Sequence, residues 1–137
     1  MSSRAGNSFT FTQLIKIMQA EINRHLEKYQ GQWEQSQIDD ISHKLTVGAI
    51  KYGMIASDPN KEIIFDPQKW TSFEGNSGPY LMYSYARCQS IIEKCAEQNI
   101  SPDLAHVKAL VSPLEFELLR SIYDYNDVVA QASQHYK

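Results

Sequence analysis

Apolar residues recur along much of the chain at the three- and four-residue spacing that is typical of amphipathic α-helices. The first stripe consists of residues four positions apart: Leu14, Met18, Ile22 and Leu26. We expect Thr12 to cap this helix at its N-terminus, because a threonine side chain accepts a free backbone N–H there. The helix should end near Tyr29, since Gly31 readily adopts the left-handed conformation that follows many helices.

A second helix is predicted from an apolar face that is made of Ile38, Ile41, Leu45, Ala49 and Tyr52. Ser36 and Asp39 resemble a capping box at its start, with aspartate in place of the usual glutamate. Gly48 interrupts this helix at a cost of about 1 kcal/mol relative to alanine. The simplest explanation of Gly48 is that another backbone passes close to it.

The next long helix is expected to begin at Pro79, a residue well suited to a first helical turn, and to extend to about Gln98. Its apolar stripe, which we assign to the core, contains Leu81, Tyr85, Cys88, Ile92 and Cys95. Tyr80, Tyr83 and Arg87 fall on a neighbouring face of the same helix. A short turn that begins at Asp66 should precede this helix and hold Trp70.

Further short helices are predicted in the last third of the chain. Ser101-Pro102 should start one of them, and Ser112-Pro113-Leu114-Glu115 is a capping box with proline at the first helical position. A separate last segment should run from about Asn126 to His135. The whole pattern predicts an all-α fold, a bundle of about five or six helices with at most short extended segments at 8–11 and 62–65. We place a boundary near Phe73, between regions 1–72 and 73–137.

Composition and charge narrow the possible functions of the 137 residues. The chain is 42% hydrophobic and 21% charged, as in soluble globular proteins, and no apolar run approaches the roughly 20 residues of a membrane span. The net charge of −3 argues against general nucleic-acid binding but permits a local basic patch. Cys88 and Cys95 should be reduced core thiols, and the scattered histidines predict no metal site.

The Gly-rich turn at 72–78 leads directly into the tyrosine-rich helix. Tyr80, Tyr83 and Arg87 could grip nucleic acid, because aromatic rings stack on bases and guanidinium groups bind phosphates. The alternative is that these rings simply pack in a core, as we expect for Tyr85 and also for Trp33 and Trp70. Asn76 could cap the helix.

Three segments carry a resemblance to arginyl-tRNA synthetases that covers nearly the whole chain, in order. The segment at 47–52, VGAIKY, resembles the GA(V/I)KY segment of that family. Phe65-Asp66 followed by 72–87, SFEGNSGPYLMYSYAR, is similar to the family's FD…SFEGNTAPYLQYAYAR run. The first seven residues, MSSRAGN, look like the end of the class I signature loop, KMSK(S)RxGN.

The resemblance implies that the chain corresponds to the middle-to-late part of such an enzyme. A catalytic Rossmann fold would lie before residue 1, and the HIGH-type motif of that fold does not occur in the sequence. Residues 1–72 would form the helical region after the signature loop, which contacts the tRNA stem. Residues 73–137 would begin the anticodon-binding helical bundle, whose later helices are expected beyond the chain, so we expect a fragment of a larger enzyme.

The resemblance also implies the roles of particular residues. The ATP-binding remnant of the signature loop would be Met1, Ser2, Ser3 and Arg4. Ser3 stands where the motif has its second lysine, which weakens a charge role there, and a terminal tail without a role is the alternative. The residues expected to contact tRNA are Lys51, Tyr80, Tyr83 and Arg87. For Lys51 the alternative is an ordinary surface lysine, and Tyr52 beside it should be half-buried.

The implied function is part of an arginine–tRNA ligase in the cytoplasm. The parent enzyme would use ATP, Mg²⁺ and arginine to charge tRNA, whereas this chain would bind tRNA, hold no cofactor and be inactive by itself. One alternative is a stand-alone helical module, derived from the synthetase, that binds tRNA or a protein. Another is a helical adaptor with no nucleic-acid role. Missing helices should expose an apolar face near the final segments and invite self-association.

Overall fold

The computed structural model describes residues 10–58 and 60–135, and within these residues the regular secondary structure is helical. Five α-helices follow each other along the chain: α1 (Phe11–Leu26), α2 (Gln35–Ile55), α3 (Pro67–Trp70), α4 (Gly78–Glu97) and α5 (Pro113–His135). Two 3₁₀ segments lie between them: η1 (Glu27–Tyr29) and η2 (Leu104–Ala109). The all-α prediction is therefore confirmed.

The extended segments expected at 8–11 and 62–65 do not form strands in the described part of the chain. Phe11 is the first residue of α1, residues 8 and 9 lie outside the described residues, and 62–65 has no regular structure. The β-type pairing among the described residues is an isolated bridge between Gln30 and Trp33. None of the described helices is both long and apolar enough to cross a membrane.

The chain divides into two compact units, one that runs to Cys88 and one that starts at Gln89. In the first unit, α1 packs against α2 and buries the stripes that the sequence predicts. One cluster consists of Ile22, Leu26, Ile38 and Leu45, and the other of Met18, Ala49 and Ile50. The domain boundary expected at Phe73 stays a prediction, although Phe73 itself packs against the first cluster.

The helix starts differ from the predicted ones. Thr10, not Thr12, caps α1: its Oγ1 accepts the Gln13 backbone N–H at 3.3 Å, and Gln13 Oε1 accepts the Thr10 N–H at 2.8 Å. At the start of α2, Glu34 is the cap residue, and the side chain of Gln37 accepts its backbone N–H at 3.2 Å. The capping box expected to start at Ser36 is therefore wrong. The box starts two residues earlier, at Glu34, and its reciprocal hydrogen bonds are made with Gln37 at the third helical position.

Gly48 and Gly78 bring two backbones into contact in the first unit. A Cβ atom added to Gly78 would lie 2.6 Å from the carbonyl oxygen of Gly48 and 3.0 Å from the Cα atom of Ala49. The first turn of α4 thus lies directly on α2, so a backbone does pass close to Gly48 as expected. The space that the missing Cβ of Gly48 leaves is, however, filled by the side chain of Met82 and not by a backbone. Gly53, one turn further along α2, is covered by the ring of Trp70, so that packing of Trp70 is also confirmed.

The turn before α4 is fixed by side chains that hydrogen-bond the backbone. Ser77 Oγ accepts the Tyr80 backbone N–H at 3.2 Å and donates to the Ser72 carbonyl at 2.5 Å. Ser77 rather than Asn76 therefore caps the helix, which corrects the expectation. Asn76 Oδ1 instead accepts the hydroxyl of Tyr52.

In the second unit, α5 is a single helix and not the two segments that the sequence suggests. No glycine occurs in Pro113–His135, and no proline after the first residue, so nothing interrupts the helix near Asn126. At its start, Glu115 Oε2 accepts the backbone N–H groups of Val111 and Ser112 at 2.9 and 2.8 Å. The glutamate half of the predicted capping box is thus present.

The predicted core stripe of α4 is exposed, and the assignment of Tyr85 to the core is wrong. Tyr85 is 67% exposed and Cys88 is an exposed free thiol, whereas Cys95 is partly covered. Amphipathic spacing shows which face can be buried, but another element must cover that face. In the second unit, the exposed apolar side chains include Leu104, Val111, Leu114, Leu118, Ile122 and Tyr123. An apolar surface in the final segments is therefore confirmed, and self-association through it stays a prediction.

Replacement of Gly78 by alanine should destabilise the first unit by roughly 2 kcal/mol or more, because its Cβ would overlap the backbone of α2, which cannot move aside cheaply. Urea unfolding followed by tryptophan fluorescence reports on this unit, since Trp33 and Trp70 both lie in it. Gly48→Ala is the matched control: its Cβ would meet the flexible Met82 side chain, and the loss should be smaller. Equal losses would contradict the backbone contact.

Replacement of Thr46 by valine should stabilise the first unit by about 1 kcal/mol. Thr46 is 1% exposed and its hydroxyl has no hydrogen-bond partner among the described residues, so valine keeps the shape and removes an unpaired polar group. The matched comparison is Ser42→Ala, which should destabilise because the buried Ser42 hydroxyl donates to Asn23 at 2.5 Å. A lower urea midpoint for Thr46→Val would refute this account.

Candidate nucleic-acid interface

A surface groove of about 720 Å³ opens in the first unit. The end of α1, the residues up to Trp33, the middle of α2 and the first turns of α4 form its walls. Its aromatic and apolar lining consists of Leu26, Tyr29, Trp33, Ile41, Leu45, Phe73, Tyr80, Met82, Tyr83 and Ala86. Its polar and charged lining consists of His25, Lys28, Lys44 and Glu74. We call this site the aromatic groove.

Two of the residues predicted to contact tRNA, Tyr80 and Tyr83, line the aromatic groove. Their side chains are 41% and 44% exposed, so each ring is available to a ligand. The position of these rings follows from the start of α4. Ser77 caps the backbone N–H of Tyr80, and Gly78 holds this turn against α2.

Arg87 is held beside Tyr83 on the same helix. Its Nη1 donates to the Tyr83 hydroxyl at 3.1 Å, and its guanidinium carbon lies 5.7 Å from the centre of the Tyr83 ring. Within residues 10–58 and 60–135, Arg87 is thus oriented by an aromatic side chain and not by a carboxylate. A guanidinium that is oriented but not neutralised can still bind a phosphate through two parallel hydrogen bonds.

Lys51 does not belong to the aromatic groove. It lies exposed on α2 and is not one of the lining residues. Tyr52, next to it, is half-buried as expected and donates its hydroxyl to Asn76. The structure therefore brings Tyr80, Tyr83 and Arg87 together and leaves Lys51 at a separate position on the surface.

The sequence reading missed the residues that follow α1. The rings of Tyr29 and Trp33 are stacked, with their centroids 4.2 Å apart and their planes 9° from parallel. Lys28 Nζ lies 5.0 Å from the centre of the Tyr29 ring. Trp33 is 38% exposed and lines the groove, so the expectation that it is a packing residue is incomplete. The feature of the sequence that could have indicated this stack is the placement of Tyr29 and Trp33 on either side of Gly31. In the structure Gly31 has φ +79°.

Basic side chains outnumber acidic ones in the aromatic groove. Lys28 and Lys44 carry positive charge there, and Glu74 carries the opposing charge. Lys44 also pairs with Asp40 at 2.6 Å, but both partners are more than half exposed, so water weakens this attraction. The groove therefore combines stacking surfaces with a local excess of cations, although the whole chain is slightly acidic.

The predicted ATP remnant at Met1, Ser2, Ser3 and Arg4 lies outside the described residues. Among the residues that are described, no group of histidine, cysteine, aspartate or glutamate side chains is arranged to hold a metal ion.

Comparison with known proteins gives this surface a context. Residues 81–137 match the family model of the DALR anticodon binding domain. The whole chain is 35% identical, over 142 residues, to an arginine–tRNA ligase of Bdellovibrio bacteriovorus, of which it covers 23%. An arginine–tRNA ligase of Bacteroides fragilis is 34% identical over 99% of the chain and 23% of the relative.

The similarity extends to an arginine–tRNA ligase of Ignicoccus hospitalis, which is 31% identical over the whole chain. The chain spans about a quarter or less of the length of each of these relatives. The DALR match begins at Leu81, in the second turn of the helix that carries Tyr80, Tyr83 and Arg87. Residues 81–137 therefore match the DALR anticodon binding domain, within a chain that is similar along its whole length to a segment of arginine–tRNA ligases.

Proposed function

We propose that the chain is a tRNA-binding portion of an arginine–tRNA ligase and that Tyr80, Tyr83 and Arg87 contact the tRNA. The observation that carries this proposal is the match to an anticodon binding domain, which starts on the helix that presents these three side chains. We propose an arginine-accepting tRNA as the partner because the relatives that match the whole chain are called arginine–tRNA ligases.

The chemistry of the three side chains suits an unpaired stretch of RNA. Tyr80 and Tyr83 are exposed enough for bases to stack on them, and such stacking contributes about 1–3 kcal/mol per base. Arg87 can bind a phosphate next to a stacked base because Tyr83 fixes its position without neutralising it. Lys51, elsewhere on α2, would contact another part of the tRNA.

Catalysis belongs, in this proposal, to parts of the ligase other than the described helices. ATP, Mg²⁺ and arginine are substrates and cofactor of the full enzyme, and Met1–Arg4 would complete its ATP-binding loop. The reaction would take place in the cytoplasm. Apolar side chains on α5 would be covered by further helices of the anticodon-binding bundle.

Replacement of Tyr80 or Arg87 should weaken binding of an arginine-accepting tRNA transcript by about tenfold, since each change removes a stacking surface or a charged phosphate contact. Filter binding at several salt concentrations measures both effects. Arg87→Gln should also reduce the slope of log K against log salt by about 1, whereas Tyr80→Ala should leave the slope unchanged.

The controls for this experiment come from the same chain. Tyr85→Ala removes an exposed ring on the same helix but outside the aromatic groove. Arg24→Gln removes an arginine that is already paired with Glu21 at 3.0 Å. Both should change the affinity by less than about twofold. Equal affinities for the wild-type chain, Tyr80→Ala and Arg87→Gln would contradict the proposed contacts.

The purified chain should show no ATP–pyrophosphate exchange with arginine, because its sequence lacks the HIGH-type motif of the class I catalytic fold. The assay should be run next to a full-length arginine–tRNA ligase. If the chain catalysed more exchange with arginine than without it, the proposal that catalysis belongs to other parts of the ligase would be wrong.

A further inference from the structure

We propose that the aromatic groove seats an unpaired nucleotide of the tRNA, whose base stacks on Trp33 and whose phosphate is neutralised by Lys28 and Lys44. This inference rests on the proposed tRNA-binding function. It adds a second contact surface, on the connection between α1 and α2, to the one on α4. Trp33, Lys28 and Lys44 lie outside residues 81–137, to which the DALR family match is confined.

The stacked pair determines which ring face can take a base. The centroids of Tyr29 and Trp33 are 4.2 Å apart, so no base fits between the two rings. One face of Tyr29 is thus covered by Trp33, and Lys28 lies 5.0 Å from the Tyr29 ring centre. The outer face of Trp33 is the end of the stack, and this side chain is 38% exposed. A base placed there continues the stack.

The size and lining of the groove fit a nucleotide. Its volume of about 720 Å³ lies within the range of roughly 300–1,000 Å³ that is usual for sites of small organic ligands. Tyr80 and Tyr83, which line the same groove, offer stacking surfaces for neighbouring bases. A run of two or three unpaired nucleotides could therefore contact both the α1–α2 connection and α4.

Charge favours RNA over an apolar peptide as the occupant. Lys28 and Lys44 line the groove with His25, and Glu74 is the opposing carboxylate of the lining. Asp40, outside the lining, also pairs with Lys44, but this pair is exposed to solvent and a phosphate can compete for the lysine. Lys28 is exposed and its ammonium group lies beside a ring, where it can meet the phosphate of a stacked nucleotide. Aromatic rings together with basic side chains in one groove are the combination that holds single-stranded nucleic acid.

The test compares single substitutions in the full chain for binding of an arginine-accepting tRNA transcript. Trp33→Ala should weaken binding by about 5- to 100-fold, and Trp33→Phe should restore most of the affinity because it keeps a ring. Lys28→Gln should reduce the salt slope by about 1. The matched controls, Phe11→Ala and Lys16→Gln, change an exposed ring and an exposed lysine of α1 outside the groove and should have little effect.

Fluorescence gives a second readout that does not depend on Trp33→Ala remaining folded. In Trp70→Phe, Trp33 is the remaining tryptophan of the chain, and a base stacked on it should quench its emission when tRNA is added. The same titration of Trp33→Phe, in which Trp70 remains, should show little quenching. A single-stranded RNA oligonucleotide should compete for this quenching better than a duplex of equal length, since the proposed nucleotide is unpaired.

The outcomes separate this inference from the function on which it rests. If Trp33→Ala binds tRNA like the wild-type chain while Tyr80→Ala binds it weakly, the nucleotide site is wrong and the proposed function stands. If the wild-type chain does not bind tRNA, both are wrong. If Trp33→Ala abolishes self-association but leaves tRNA affinity unchanged, the groove is an interface between copies of the chain, which also overturns the proposal.

Discussion

The contact between the backbones of Gly48 and Gly78 is the constraint on which the arrangement of the first unit depends. It places the first turn of α4 directly on α2, with no side chain between them. Ser77, next to Gly78, then caps Tyr80 and closes the preceding turn onto Ser72. A side chain at Gly78 would push α4 outward, and the rings that follow it would leave the positions they now occupy.

The aromatic groove is a consequence of this packing. Its base is the apolar surface between α1 and α2, around Leu26 and Leu45, and α4 provides one wall through Tyr80 and Tyr83. The stacked rings of Tyr29 and Trp33 come from a different part of the chain. Rings on two separate elements can therefore face one ligand, in a chain whose net charge of −3 does not favour general nucleic-acid binding.

The two units differ in how much of their apolar surface is buried. In the first, the stripe of α1 finds a partner in α2, and residues such as Met18 and Ile22 are completely buried. In the second, the apolar side chains of α5 remain in solvent. Burial of a helix face requires a covering element, and the second unit provides none for this face among the described residues.

Residue spacing and motifs were sufficient to predict the helical pattern, the apolar faces of α1 and α2, the close approach of a backbone to Gly48 and the resemblance to arginyl-tRNA synthetases. These features depend on local spacing, on residue type or on long specific motifs. The exposure of Tyr85, the contact of Gly78 with Gly48 and the hydrogen bond of Tyr52 to Asn76 depend on the tertiary structure, because they require knowledge of which elements lie against each other. Periodicity along one helix does not contain that information. The caps at Thr10 and Ser77 and the stack of Tyr29 on Trp33 are local, but the sequence offered other candidates, and the exact backbone geometry selected among them.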